Sequence, residues 1–229
     1  MIQVVMLAGG RGERLMPATN DVCKPMVLVK DKPFLEYLVR YLYSLSFTHI
    51  LFLVGYLGEQ IEHYFGNGER FGVTIQYSYE QNPLGTGGAL KNAEDRLDPE
   101  FLLLNADTYL PIDYYKVIEV FNTRGTTGLI VACTNDDVRA VNNMSVVQSG
   151  IVSAYNKKNH EVMTHVDAGV IVLKKEILRL IPEKKMVSLE EEIYPQLIRQ
   201  QQLAAYITHE RFYDMGTMKG LTIVTEILP

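Results

Sequence analysis

Cysteine is scarce in this chain, and its two copies, Cys23 and Cys133, fall in no metal-binding or disulfide spacing. A disulfide-stapled secreted scaffold is therefore excluded, and a reducing cytosol is the natural setting. Cys23 lies beside Lys24, a neighbour that can activate a thiol, although a passive loop or core thiol is the commoner state. Histidine is thin as well: His49, His63, His160, His165 and His209 are scattered, without H-E-x-x-H or any paired-ligand spacing. No G-x-S-x-G surrounds Ser44, Ser46 or Ser188, which removes support for a hydrolase triad. No apolar run approaches about 20 residues and no basic-then-apolar leader opens the chain, so a membrane span or secretory signal is not expected. Positive charge is not in excess either. The formal net charge of −5 gives no electrostatic basis for nucleic-acid binding, so any basic site must be local. Internal repeats are missing, as is any Pro-, Gly- or Ser-rich linker. One domain over residues 1–229 is the expectation.

What the chain has is alternation. Val4–Ala8, Ile50–Val54, Val73–Tyr77 and Phe101–Leu104 are apolar runs that read as strands. Pro33–Leu42, Leu57–Phe65 and Gly88–Leu97 read as the helices between them, the first opening with proline in its first turn. Farther on, Gly128–Cys133, Ser145–Gln148 and Val170–Leu173 look like strands, and Lys175–Leu180 and Ser188–Gln202 look helical. This order predicts an α/β fold: three α/β/α layers around a mostly parallel, mixed, Rossmann-like sheet. Ligands of such sheets bind beyond the carboxyl ends of the strands. Gly9, Gly55, Glu80 and Asn105 each follow a strand end and should gather on one edge.

The stretch Val4–Pro25, VVMLAGGRGERLMPATNDVCKP, carries the most information. Glycines at the end of a buried strand let the backbone approach a ligand, and converging N–H groups suit an anion. Arg11, Arg14 and Lys24 add a cationic complement fit for a polyphosphate. The loop is not a P-loop, because no Lys-Ser or Lys-Thr follows its glycines. It is not a dinucleotide fingerprint either: Leu15 stands where the third glycine should be. A nucleoside triphosphate cradle is the remaining reading.

A second glycine cluster, Leu84-Gly85-Thr86-Gly87-Gly88-Ala89-Leu90, lets the chain fold against a flat ligand at the start of a helix. Asn105-Ala106-Asp107 ends an apolar strand in a carboxylate able to hold Mg²⁺, which takes one or two protein carboxylates with phosphate oxygens and water. Each acidic residue also has a plain alternative as a turn or cap aspartate.

With these residues in view, L-A-G-G-x-G-x-R-L-x-P-x-T…K-P-M resembles the signature of the sugar-1-phosphate nucleotidyltransferases, the nucleotidyl-diphospho-sugar transferase superfamily. The resemblance implies that family's fold and Mg²⁺-dependent reaction, an NTP plus a sugar 1-phosphate giving an NDP-sugar and pyrophosphate. It implies a nucleotide-binding part over about residues 1–110 and a sugar-phosphate part over about 111–229. Arg14, Lys24 and Asp107 would be catalytic. Leu7, Ala8, Gly9, Gly10, Gly12, Glu80, Gly85 and Thr86 would contact the nucleotide, with Glu80 at the base. Asn105, Lys157, Asp167 and Gly169 would meet the sugar phosphate. Phe212-Tyr213-Asp214-Met215-Gly216-Thr217 resembles W/F-x-D-x-G-T, making Asp214 the second metal ligand beside Asp107.

The chain departs from the family pattern mostly around the acceptor. Asn156 replaces a glutamate before Lys157, Asp167 replaces the asparagine of N-A-G, and Ser145 replaces a glycine. The segment Lys32–Tyr37, K-P-F-L-E-Y, and the short length are most similar to D-glycero-α-D-manno-heptose 1-phosphate guanylyltransferases of surface-polysaccharide pathways, which would make the NTP GTP. Mannose, glucose and N-acetylmuramate 1-phosphate enzymes using other bases remain open, as does a silent nucleotide-sugar-binding regulator. No hexapeptide-repeat domain is visible. The expected partners are the two substrates, without nucleic acid or membrane, in the cytoplasm; the resemblance leaves room for a homodimer.

Overall fold

The computed structural model describes residues 2–10, 22–135, 141–156 and 163–229. In chain order the strands are β1 (Gln3–Leu7), β2 (Leu28–Val29), β3 (Lys32–Pro33), β4 (His49–Val54), β5 (Thr74–Tyr79), β6 (Glu100–Asn105) and β7 (Thr108–Tyr109). They continue with β8 (Gly128–Thr134), β9 (Met144–Val146), β10 (Val152–Tyr155), β11 (His165–Lys174), β12 (Leu203–Thr208) and β13 (Tyr213–Asp214). The helices are α1 (Phe34–Ser44), α2 (Gly58–Phe65), α3 (Gly85–Asn92), α4 (Tyr114–Arg124), α5 (Tyr194–Arg199) and α6 (Met218–Ile227). Among the described residues, nine of these strands make a mostly parallel, mixed central sheet, while β2–β3 and β7–β13 form two separate antiparallel pairs. The residues gather into two compact units that interleave along the chain.

The first unit comprises Met1–Pro83, Leu104–Tyr109 and Tyr213–Pro229. Here β1, β4 and β5 run parallel, with Val4 opposite Ile50 and Ile50 opposite Ile75. Val4, Val5 and Met6 are fully buried, as a strand covered on both faces requires, which is why it reads as an unbroken apolar run. Helix α1 buries Leu35, Leu38, Val39 and Leu42 on one stripe. Each such side chain contributes on the order of 1.5–3 kcal/mol by leaving water. The short strands β7 and β13 pair antiparallel, Asp214 opposite Thr108 and Tyr213 opposite Tyr109.

The second unit comprises Leu84–Leu103 and Leu110–Phe212. Strand β8 is its centre, antiparallel to β11 and parallel to β12. Strand β11 pairs β8 from His165 to Asp167 and again from Ile171 to Leu173, and the register slips between. Gly169 sits in that bulge at φ +70°, a left-handed conformation that side chains resist.

Two expected helices differ in kind. Lys175–Leu180 is wound as a tighter 3₁₀ helix. Ser188–Gln202 is not one helix: a wide π turn over Leu189–Ile193 precedes α5. Pro195 lacks the N–H that a regular ladder needs, and the π turn lies just before it. Gly88–Leu97 begins earlier than expected, at Gly85, and breaks after Asn92 into a single turn over Glu94–Arg96.

Candidate active site

In the first unit the ends of three parallel strands and the close of β6 are sewn together at one edge. Ala8 N–H donates to the Leu53 carbonyl at 2.9 Å, Glu80 N–H to Val54 at 3.0 Å, and Ala106 N–H to Leu7 at 3.1 Å. These bonds bring Leu7, Ala8, Gly9, Glu80, Asn105 and Asp107 onto a single rim. The Glu80 carboxylate lies across the glycine backbone. A methyl on Gly9 would come 2.9 Å from Glu80 Oε1, and one on Gly55 would come 2.6 Å from the same atom. A side chain at residue 9 or 55 would have to turn the Glu80 carboxylate aside. Gly10 is exposed, and a methyl there would meet nothing within 4 Å.

Lys24 opens a short 3₁₀ turn, Lys24–Met26, whose Pro25 and Met26 are buried. Its ammonium forms an ion pair with Asp107 Oδ2. Asp214 reaches the same place through the β7–β13 ladder, reinforced by Met215 N–H donating to the Asp107 carbonyl at 3.0 Å. A methyl on Gly216 would sit 2.8 Å from Asp214 Oδ1 and 3.1 Å from Lys24 Nζ, so both acids and the lysine share one neighbourhood. Gly216 N–H donates to Asp214 Oδ1 at 2.7 Å, and the Thr108 hydroxyl donates to Asp107 Oδ1 at 3.2 Å. Two oriented carboxylates already flank one cation, the donor set that Mg²⁺ accepts alongside phosphate and water.

Arg11, Gly12, Arg14 and Lys157 lie outside the described residues. Gly85 and Thr86 belong to the second unit, where the glycines of this motif serve close packing. Methyls on Gly85 and Gly88 would each come 2.6 Å from a carbonyl, of Val187 and Lys185 respectively. Gly87 and Gly88 N–H groups both donate to Val187, so two donors of the first turn of α3 are engaged within the chain. The Thr86 hydroxyl donates to Glu190 Oε2 at 2.7 Å and accepts from Leu189 N–H at 2.8 Å.

Asp167 and Gly169 sit at the bulge of β11. Asp167 Oδ1 accepts from Gly169 N–H, Oδ2 from the Tyr155 hydroxyl, and Asp167 N–H donates to Asn143 Oδ1, each at 2.8 Å. Glu190, Tyr155 and Tyr194 in this region escaped sequence reasoning. Ser188 with Glu191 and Glu192 does carry a helix-start signal, since Ser188 Oγ accepts from Glu191 N–H and Glu192 accepts from Ser188 N–H. Nothing local tells that Glu190 meets Thr86, 104 residues away. Both cysteines are buried; burial first, then Glu59, pushes the Cys23 thiol up to about 12, so Lys24 does not activate it.

A family model described as "Nucleotidyl transferase" matches residues 3–228. The chain belongs to the nucleotidyl transferase family. It is 30% identical over 219 residues to the D-glycero-α-D-manno-heptose 1-phosphate guanylyltransferase of Aneurinibacillus thermoaerophilus, covering 94% of this chain and 93% of that protein. The crystal structure of HddC from Yersinia pseudotuberculosis complexed with GMP-PN superposes with a TM-score of 0.85 at 29% identity, over 99% of both chains. A UTP–glucose-1-phosphate uridylyltransferase from Synechocystis sp. is 28% identical over 86% of this chain but 55% of its own length. This family member is thus a sugar-1-phosphate nucleotidyltransferase with the nucleotide-diphospho-sugar transferase fold. Among the described residues no helix is long and apolar enough to cross a membrane.

Proposed function

We propose that this nucleotidyltransferase joins GTP to D-glycero-α-D-manno-heptose 1-phosphate, releasing pyrophosphate, in the cytoplasm. The convergence of Lys24, Asp107 and Asp214 in the first unit carries the reading, because binding alone does not call for two carboxylates and a lysine at one point. The guanylyltransferase relatives, one of them complexed with GMP-PN, support the base. Glu80 supports it too: fixed over Gly9 and Gly55, its carboxylate suits the N1–H and N2–H₂ donors of guanine.

The reaction is an in-line attack by an oxygen of the sugar 1-phosphate on the α-phosphorus, with catalysis by positioning and charge stabilisation. Asp107 and Asp214 would hold Mg²⁺, which offsets the charge of the triphosphate when bound. Lys24 supplies a mobile positive charge to the phosphates once its pairing with Asp107 is exchanged. Gly10 leaves the backbone open to the phosphates, Gly9 admits the Glu80 carboxylate beside them, and Arg14 holds the leaving pyrophosphate. In this reading Gly12 also contacts the nucleotide, Lys157 orients the acceptor phosphate, and Asn105, Asp167 and Gly169 meet the sugar. A pyrophosphate-release screen of four NTPs against a panel of sugar 1-phosphates with Mg²⁺ tests this. GTP with the heptose 1-phosphate should give the highest kcat/KM; another pair winning would reassign the substrates, and silence with NTP still bound would leave a binding protein.

A further inference from the structure

The second unit holds two carboxylates that are each pinned by hydroxyl donors and that act on the same pair of rings. Asp167 is pinned by the Tyr155 hydroxyl and by Gly169 N–H. Glu190 Oε2 accepts from the Thr86 hydroxyl at 2.7 Å and the Ser188 hydroxyl at 2.9 Å. Tyr155 and Tyr194 meet edge to face, 5.2 Å between ring centres at 81°. Burial first, and then the charge of Asp167, pushes both phenols far above their ordinary range, with Glu190 adding to each. Tyr155 therefore stays a proton donor at any physiological pH and locks Asp167 in orientation. Asp167, Gly169, Tyr155 and Glu190 are half-buried, neither sealed in the core nor fully open to water.

We infer that this pair of pinned carboxylates makes the acceptor subsite select a neutral polyhydroxy sugar 1-phosphate and reject a sugar carrying its own carboxylate. The inference rests on the proposal that Asp167 belongs to the acceptor site. A carboxylate only accepts hydrogen bonds, and sugar hydroxyls donate them with charge assistance. An acidic sugar brings like charge against Asp167 and Glu190 in a partly dry setting, and specificity gains from such repulsion. An asparagine at residue 167 would lose this discrimination, because an amide donates as readily as it accepts. Tyr155 acts as a positioning residue: it holds the carboxylate and does not meet the reacting phosphate.

The experiment compares mannose 1-phosphate with glucuronic acid 1-phosphate and N-acetylmuramate 1-phosphate, using wild type, Asp167→Asn and Tyr155→Phe. Wild type should prefer the neutral sugar on the order of 100-fold in kcat/KM. Asp167→Asn should shrink that ratio about tenfold or more, through KM for the sugar phosphate, leaving KM for the NTP unchanged. Tyr155→Phe should raise KM for the neutral sugar with the same silence in KM for the NTP, a split that loss of folding would not give. Equal use of acidic and neutral acceptors by wild type, or an unmoved ratio in Asp167→Asn, overturns the inference alone. No pyrophosphate from any acceptor overturns the proposed reaction and this inference with it.

Discussion

Lys24 and Asp107, 83 residues apart in the chain, form an ion pair beside Asp214. The pair is partly exposed, with 29% of the Asp107 side chain open to water, so its worth to stability is at most about 1 kcal/mol. In the proposed reaction its worth to a charged transition state would be far larger. Asp107→Ala should stay folded, with thermal midpoint nearly unchanged, while kcat falls about 10²–10³-fold. Pyrophosphate release alongside a thermal melt checks both halves, and near-normal turnover would remove Asp107 from the chemistry.

Gly10 separates ligand demands from folding demands. Open space surrounds the position, so Gly10→Ala should leave stability within about 0.5 kcal/mol of wild type. If phosphates approach the backbone there, KM for the NTP should rise about tenfold, equivalent to about 1.4 kcal/mol. Steady-state kinetics read the KM, and calorimetric titration with a non-hydrolysable GTP analogue reads the affinity behind it; unchanged affinity would mean the loop meets the nucleotide elsewhere.

Gly220 lies in the first turn of α6, where a methyl would come 2.0 Å from the Asp214 carbonyl oxygen. Gly220→Ala must push Asp214 or the helix aside, costing about 1–3 kcal/mol of overpacking and lowering kcat. Gly125→Ala is the control. Its φ of +68° makes the change cost about 1 kcal/mol with open space around it, and turnover should hold. Urea unfolding and steady-state kinetics on both variants compare the two; equal effects on kcat would detach α6 from the placement of Asp214.

Glu36, buried on α1, should contribute to acid stability. Burial works to raise its carboxyl, but hydrogen bonds from Tyr64 and Arg40, with the charges of Arg40 and Lys32, outweigh it and hold it below the usual range. A depressed carboxyl stabilises the fold above the unfolded carboxylate range, and that contribution is lost as pH falls through the folded value. Glu36→Gln should therefore lose about 1.5–3 kcal/mol at pH 7, and the gap from wild type should close towards pH 3. Urea unfolding across that range reads the gap; a constant difference would mean that the charge is not what matters.

Strand β1 and its glycine stop were legible because a strand buried on both faces must be apolar and must end where the backbone opens. Asp107 was legible as a carboxylate at a strand end, and Asp214 through its resemblance to a motif. What joins them, the ladder of Thr108 with Asp214, is non-local and left no mark in either segment. Helix α4 carries local signals at both ends, with Asp113 capping Tyr115 N–H and Gly125 left-handed after its last turn. Strand β12, LAAYIT, lacks the alternation and β-branched density that separate strand from helix. The glycines of Gly85–Gly88 were legible as close-approach positions; that Lys185 and Val187 do the approaching was not.

The ladder between β7 and β13 also sets a timetable for biosynthesis. A ribosome delivers Lys24 and Asp107 long before Asp214, so an elongating chain carries one acid and a counter-charge without the second acid that completes them. Only a polypeptide extended past β13 can close that ladder and bring Asp214 beside Asp107 and Lys24.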